Sequence, residues 1–148
     1  MSRSDTDHSC SANSRLHSFL EQGRSAHSKG DLEQAMTLYQ SAMQQNPARA
    51  EPHNLLGLAA LQSGDHHVAL ELFRTAVALE ETPEHLCNLG VGHYMLHSHQ
   101  EAEDILRRVL DKAPGHLDAL TSLGVILEEQ GRLQEATELL DQACAVDP

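Results

Sequence analysis

The chain repeats itself with a period of 33 or 34 residues, and this period limits the folds that are open to it. The aligned copies read QGRSAHSKGDLEQAMTLY, LGLAALQSGDHHVALELF, LGVGHYMLHSHQEAEDIL and LGVILEEQGRLQEATELL. Each copy has a glycine near its start and an alanine twelve residues later: Gly23, Gly57, Gly90 and Gly124, then Ala35, Ala69, Ala102 and Ala136. A unit of this length holds two helices and a turn, and alone it cannot bury its apolar faces.

The small residues of each copy indicate where its two helices cross closely. A larger side chain at Gly57 or Ala69 would overpack that crossing, at a cost of about 1–3 kcal/mol. Leu56 and its equivalents Leu89 and Leu123 are then expected to fill the space beside each crossing.

The turn between the two helices of a copy is also marked by glycine. The turn glycines are Gly30, Gly64 and Gly131. Asp31 and Asp65 follow two of these glycines and are predicted to be helix N-caps. In the third copy, Ser98 and Glu101 have the spacing of a capping box. The sequence therefore predicts four helix–turn–helix units in tandem.

This pattern resembles the tetratricopeptide repeat (TPR) family, in an array of the bacterial type. The resemblance covers residues 16–148 and implies an all-α fold, a right-handed solenoid of antiparallel helix pairs. The four TPR units are expected at about residues 16–49, 50–82, 83–116 and 117–148. Residues 1–15 have many serines and no apolar run, so we predict a disordered tail there.

The resemblance implies a protein–protein interaction scaffold, in which the first helix of each unit lines a concave groove that binds a peptide or a partner protein. The predicted groove residues are Leu20, Arg24, Asn54, Leu58, Leu61, Cys87, Asn88, Val91, Tyr94, Met95, Thr121, Ser122, Val125 and Glu128. Tyr94 and Met95 are the better ligand candidates, because one combines apolar area with a hydroxyl and the other is adaptable. For Leu58 and Val125, the alternative to a place in the groove is packing in the core.

Two subclasses of the family have sequence features that bear on the function of this chain. TPR domains that bind the acidic C-terminal tails of heat-shock chaperones use a clamp of Lys, Arg and Asn. The matching registers here are Leu20, Arg24, Leu55, Glu84 and Asn88, so the clamp is effectively absent. The arrays that precede O-linked N-acetylglucosamine transferases are similar in the phrases HNLLGLAALQSGD and NLGV. The alternative function is therefore the N-terminal interaction region of a longer enzyme, such as a glycosyltransferase of that kind or a sulfotransferase.

The charge of the chain narrows the class of partner. Ten Lys and Arg stand against 22 Asp and Glu, which gives a formal net charge of −12. Such a charge disfavours nucleic acid and the anionic surface of a membrane. Either the charge serves solubility alone, or it forms an acidic surface that attracts a basic segment of a partner. The residues expected to form that surface are Glu84, Asp118, Glu128 and Glu129.

The cysteines and histidines do not indicate a metal site. Cys10, Cys87 and Cys144 are too few and too widely spaced for a disulfide framework or a metal knuckle, so we expect a reducing compartment, the cytoplasm. His93 and His97 have the spacing of two metal ligands on one helical face. However, His97 replaces a turn glycine, and His93 occupies a register that faces the packed interior in the other copies. No catalytic or phosphate-binding motif is present, so we expect neither an enzyme nor a cofactor.

The last helix is predicted to offer an apolar face. Pro148 falls where a repeat closes, and Leu140, Ala143 and Cys144 would form the face on which a fifth unit packs. Three occupants are considered: further repeats of a longer protein, which we favour, a second copy of this chain, or the partner protein. Leu140→Glu would distinguish self-association, because the new charge would have to be buried.

Overall fold

A computed structural model describes residues 3–148 of the chain, with side chains from Cys10 onward. All the regular elements in this span are α-helices, and none of them is long and apolar enough to cross a membrane. The helices are α1 Arg3–Ser28, α2 Leu32–Gln45, α3 Ala50–Ser63, α4 His66–Leu79, α5 Pro83–Met95, α6 His99–Lys112, α7 Leu117–Glu129 and α8 Leu133–Val146. The chain divides into two compact units, Met1–Glu80 with α1 to α4 and Glu81–Pro148 with α5 to α8.

The N-terminal segment is helical where the sequence predicted a disordered tail. Residues 3–15 belong to α1, so the prediction is wrong for them, and Met1 and Ser2 lie outside the described residues. No proline or glycine precedes Gly23, so nothing in this segment interrupts the helical hydrogen bonds. Leu16 is the first buried side chain among those described, and residues 10–15 therefore extend α1 without packing into the core.

The helix pairs follow the repeat. Helices α3, α5 and α7 begin at Ala50, Pro83 and Leu117, the first residues of the second, third and fourth predicted units. A turn of two to three residues joins the helices of each pair, which therefore run antiparallel. The turn glycines have left-handed backbone angles: φ is +80° at Gly30, +91° at Gly64 and +77° at Gly131. His97 adopts the same region with φ of 61°, so it does occupy the place of a turn glycine.

The predicted N-caps are in place, but only some of them make the expected hydrogen bond. The Asp31 carboxylate accepts a hydrogen bond from the Gln34 amide at 3.1 Å. Asp65 and Ser98 are the N-cap residues of α4 and α6, yet neither side chain bonds the helix backbone. The capping box predicted at Ser98 is therefore not formed. The Asp65 carboxylate instead accepts a hydrogen bond from the Ser63 hydroxyl at 3.3 Å.

A large side chain of the second helix lies on the glycine of the first helix in every pair. A Cβ atom added to Gly57 would lie 2.6 Å from Cε1 of Phe73, which is completely buried. The other three contacts are Gly23 with Tyr39, Gly90 with Leu106 and Gly124 with Leu140. The predicted close crossing is therefore confirmed, and Leu56 packs beside it in the core.

The same packing corrects the prediction about the last helix. Leu140 lies against the glycine of its own pair and Ala143 is buried, so these two residues do not form an outward apolar face. Of the three predicted residues, only Cys144 is exposed. The large apolar side chains that α8 exposes are instead Leu133 and Val146, at the two ends of the helix.

A network of ion pairs joins α6 to α8. The buried Glu103 carboxylate accepts hydrogen bonds from Nη1 of Arg132 at 2.9 and 3.0 Å and from Nε of Arg107 at 2.9 Å. Both guanidinium groups also contact Glu135. A buried carboxylate needs such partners, because an isolated charge away from water is costly. The network fixes the second helices of the third and fourth repeats against each other.

Candidate functional site

A small apolar cavity lies between α5 and α7, the first helices of the third and fourth repeats. Its volume is about 230 Å³. The side chains that line it are Val91, Tyr94 and Met95 from α5, with Thr121, Ser122 and Val125 from α7. All six are among the predicted groove residues, and the structure brings them together. We call this cavity and its edge the α5–α7 groove.

The positions of these residues along each helix explain why they share one face. Val91, Tyr94 and Met95 are spaced three and four residues apart, so they lie together on α5. Thr121 and Val125 have the same relation on α7. Because each first helix turns its glycine toward its own second helix, these side chains lie on another side of the helix. Val125, which is 41% exposed, therefore belongs to the groove, and its alternative as a core residue is wrong.

The edge of the α5–α7 groove carries a hydrogen bond that joins the two helices. The Tyr94 hydroxyl donates to Oε1 of Glu129 at 2.8 Å. The pKa of Tyr94 is raised by this hydrogen bond, then by burial and by the Glu129 charge. Glu129 was predicted to lie on the acidic surface but not in the groove. Two other predicted residues flank the cavity: Asn88 is half-buried one turn before Val91, and Glu128 is exposed.

Two predicted groove residues are not available to a ligand. Asn54 and Cys87 are each 3% exposed, so their assignment to the groove is wrong. They share one repeat register, and its equivalent in the fourth copy, Thr121, does line the groove, so the register alone did not reveal that Asn54 and Cys87 are buried. Burial, followed by the charges of Asp118 and Glu84, raises the pKa of the Cys87 thiol to about 12. Cys87 is therefore a protonated, packed side chain at neutral pH.

The charges around the groove are segregated by helix. Helices α5 and α7 contain no Lys or Arg, but they carry Glu84, Asp118, Glu128 and Glu129. The four cations after residue 80 lie on α6 or at the start of α8, and each of them pairs with a carboxylate. They are Arg107 and Arg132, which contact Glu103 and Glu135, and Arg108 and Lys112, which contact Glu81. The α5–α7 face is therefore acidic, with no cation of its own helices to neutralise it.

The ion pairs of Glu81 hold its carboxylate in the charged form. Nζ of Lys112 lies 2.6 Å from Oε2 of Glu81, and Nη2 of Arg108 lies 2.7 Å from Oε1. The hydrogen bond from Lys112 and its charge lower the pKa of Glu81, and Arg108 adds to the effect. These pairs connect the segment before α5 to the end of α6.

The predicted groove residues of the first unit lie on α1 and α3. Arg24 contacts the Glu51 carboxylate, so its guanidinium already has a partner. Leu20 is buried, while Leu58 and Leu61 are half-buried on α3. The structure therefore does not restore the chaperone-binding clamp that the sequence lacks. Of its registers, Leu20 lies in the core and Arg24 is already paired with Glu51.

The histidines near the α5–α6 turn form a ring cluster. The centroid of His99 lies 5.7 Å from that of Tyr94 and 6.0 Å from that of His97. His93 is half-buried, whereas Ala26, Ala60 and Leu127 in the same register of the other repeats are buried. Within the described part of the chain, no three His, Cys, Asp or Glu side chains are grouped so that they could hold a metal ion.

A second apolar surface lies on α4. It is lined by His67, Val68, Glu71, Leu72 and Thr75, which all belong to this one helix. It therefore lacks the two converging helices and the polar edge that define the α5–α7 groove. We take the groove as the candidate site.

Comparison with known families assigns the class of protein. A TPR repeat model matches residues 23–64, and two tetratricopeptide repeat models match residues 50–83 and 94–148. The chain belongs to the tetratricopeptide repeat family. Its eight described helices and its structural neighbours have the all-α TPR fold.

Individual relatives are more distant. The chain is 32% identical over 91 residues to the photosystem I assembly protein Ycf3 of Prochlorococcus marinus (strain MIT 9303), a match that covers 59% of this chain and 53% of Ycf3. The chain therefore spans about half the length of this relative. The thermophilic TPR protein TTC0263 of Thermus thermophilus is 22% identical, with a TM-score of 0.83 and coverage of 89% and 74%. The first TPR of Spaghetti (RPAP3), bound to the HSP90 peptide SRMEEVD, is 21% identical, with a TM-score of 0.75 and coverage of 80% and 94%.

Proposed function

We propose that the chain is a non-enzymatic scaffold that binds a segment of a partner protein in the α5–α7 groove. The observation that carries this proposal is the cavity itself, where two helices present apolar side chains beside a polar edge. Its volume of about 230 Å³ is smaller than the roughly 300–1,000 Å³ of most small-molecule sites. A cavity of that size suits one apolar side chain of a longer ligand.

The nature of the relatives supports a polypeptide as the ligand. One relative is named as an assembly protein of photosystem I, and one structural neighbour is bound to a peptide. An assembly role, in which the chain holds a protein segment transiently, fits a shallow groove of this kind. The cytoplasm remains the proposed compartment, because the exposed thiols of Cys10 and Cys144 are suited to reducing conditions.

Tyr94, Met95 and Val125 are the expected anchors for the ligand. Tyr94 offers a large ring that is already positioned by Glu129, so little side-chain entropy is lost when a ligand packs on it. Tyr94→Ala should weaken binding by about 1–3 kcal/mol, as for other aromatic interface residues. The helical content should change little, because Tyr94 is only half-buried.

The proposal is tested by selecting binders from a random peptide library displayed on phage, with the full chain as bait. The affinity of the enriched peptides is then measured for Val125→Glu by fluorescence polarisation. This substitution places a charge in the cavity and should abolish binding. The matched control is Val68→Glu, the same substitution at a 52% exposed position of α4, which should leave the affinity unchanged.

Two results would contradict the proposal. One is a selection in which every enriched peptide still binds the Val125→Glu protein. The other is loss of binding in Val68→Glu alone, which would place the ligand on α4. Circular dichroism of both variants checks that each substitution leaves the helices folded.

A further inference from the structure

We propose that the partner segment is basic, with one apolar side chain that enters the α5–α7 groove and Lys or Arg on both sides of it. This inference rests on the proposed function and specifies its ligand. It follows from where the carboxylates stand relative to the cavity and from which of them have cationic partners.

Carboxylates lie beyond both ends of the cavity. Glu84 and Asp118 precede the lining residues of α5 and α7 along their helices, while Glu128 and Glu129 follow those of α7. All four lie on the first helices of their repeats, within a few turns of the cavity. A ligand whose apolar side chain fills the cavity therefore extends over acidic surface in either direction.

Within residues 81–148, no Lys or Arg forms an ion pair with the acidic residues of the groove. From residue 81 onward the chain has thirteen Asp and Glu but only four Lys and Arg. Those four cations contact Glu81, Glu103 and Glu135, none of which lines the cavity. The groove is thus left with a negative potential that a basic ligand would neutralise.

The same carboxylates act on two side chains of α5 that lie on either side of Val91. The pKa of Cys87 is raised first by burial and then by the charges of Asp118 and Glu84, and the pKa of Tyr94 is raised first by its hydrogen bond to Glu129. A carboxylate ligand would meet the same repulsion, since like charges brought together at an interface are penalised.

The geometry of Glu129 allows its charge to be separated from its hydrogen bond. Only Oε1 accepts the hydrogen bond from Tyr94, and Glu129 is exposed, so its charge can pair with a cation of the ligand. Glu129→Gln removes the charge but keeps an oxygen that can accept the hydrogen bond from Tyr94. A loss of affinity in this variant would therefore report charge rather than a displaced tyrosine.

The test uses the peptides from the library selection, which are sequenced and then synthesised with a fluorescent label. We expect enrichment of Lys and Arg on both sides of an aliphatic or aromatic residue. Glu129→Gln and Asp118→Asn should each weaken binding about two- to five-fold, the range of exposed charge pairs. The matched controls are Glu138→Gln and Asp141→Asn on exposed positions of α8, and they should have no effect. Affinity should also fall as salt is raised, because exposed pairs are screened.

The outcomes separate this inference from the proposed function. Peptides that depend on Val125 but are neutral or acidic, or whose affinity is the same in Glu129→Gln and at high salt, overturn the basic ligand and leave the groove as the site. A selection without peptides that depend on Val125 overturns both.

Discussion

Replacement of Gly57 by alanine tests the close crossing of α3 and α4 directly. The added Cβ would lie 2.6 Å from Cε1 and 2.8 Å from Cδ1 of Phe73. Comfortable contacts between carbon atoms are about 3.5–4.0 Å, so one partner would have to move by about 1 Å. The Phe73 ring is completely buried, and a close-packed interior leaves it little room to move.

Two opposing terms set the expected change in the free energy of unfolding. Overpacking at such a site costs about 1–3 kcal/mol. Alanine in place of glycine inside a helix contributes about 1 kcal/mol in the other direction, through helix propensity. Because the ring cannot swing away as a flexible chain end could, we expect the upper part of the range, and hence a net loss of about 1–2 kcal/mol.

The assay is urea unfolding followed by circular dichroism, with Gly115→Ala as the matched control. A Cβ on Gly115 would meet nothing closer than Cγ2 of Val146 at 3.8 Å, so alanine should be neutral or stabilise by about 0.4–1 kcal/mol. If Gly57→Ala proved as stable as Gly115→Ala, close packing would not be the reason for glycine at this register.

The other predictions concern a turn, an ion pair and a thiol. His97→Gly should stabilise the protein by about 1 kcal/mol in the same assay, since glycine adopts a φ of 61° without strain; a destabilised variant would show that the His97 ring contributes more than its backbone costs. The Lys112 ion pair lowers the pKa of Glu81, so the pair stabilises the fold fully above the ordinary pKa of 4.5 and loses this effect as pH falls through the lower pKa of the folded protein. On acidification, the midpoint of urea unfolding should therefore fall less in Glu81→Gln than in wild type. Equal decreases would contradict this prediction. Iodoacetamide should modify exposed Cys144 at neutral pH and leave Cys87 intact until the protein unfolds, and rapid modification of native Cys87 would contradict its burial.

The repeat period made most of the fold predictable. Small residues in phase over four copies indicate close helix crossings, and turn glycines mark where the chain reverses, so the helix pairs could be placed from sequence. The side chain that packs on each glycine also has a fixed place in the sequence: a large residue follows the glycine by sixteen positions, as Phe73 follows Gly57. That signal would have assigned Leu140 to the core of its own pair, and not to an outward face.

The groove was predictable only as a register. The family pattern placed Val91, Tyr94 and Met95 on one face of α5, and the structure brings them together with α7. The same pattern could not separate Cys87 from them, because Cys87 lies four residues before Val91 on nearly the same face of α5, and its burial depends on the neighbouring helices. The hydrogen bond from Tyr94 to Glu129 depends on the distance between two helices, which a repeat pattern does not contain.

The most direct test of peptide binding in the α5–α7 groove is a methyl NMR titration with methionine labels. The chain has four methionines, and Met95 lines the cavity while Met36 and Met43 pack against the core of the first unit. On addition of a selected peptide, the Met95 methyl signal should shift in a saturable way and those of Met36 and Met43 should stay in place. A bound peptide that leaves the Met95 signal unmoved, or shifts Met36 or Met43 instead, would contradict the assignment of the groove as the binding site.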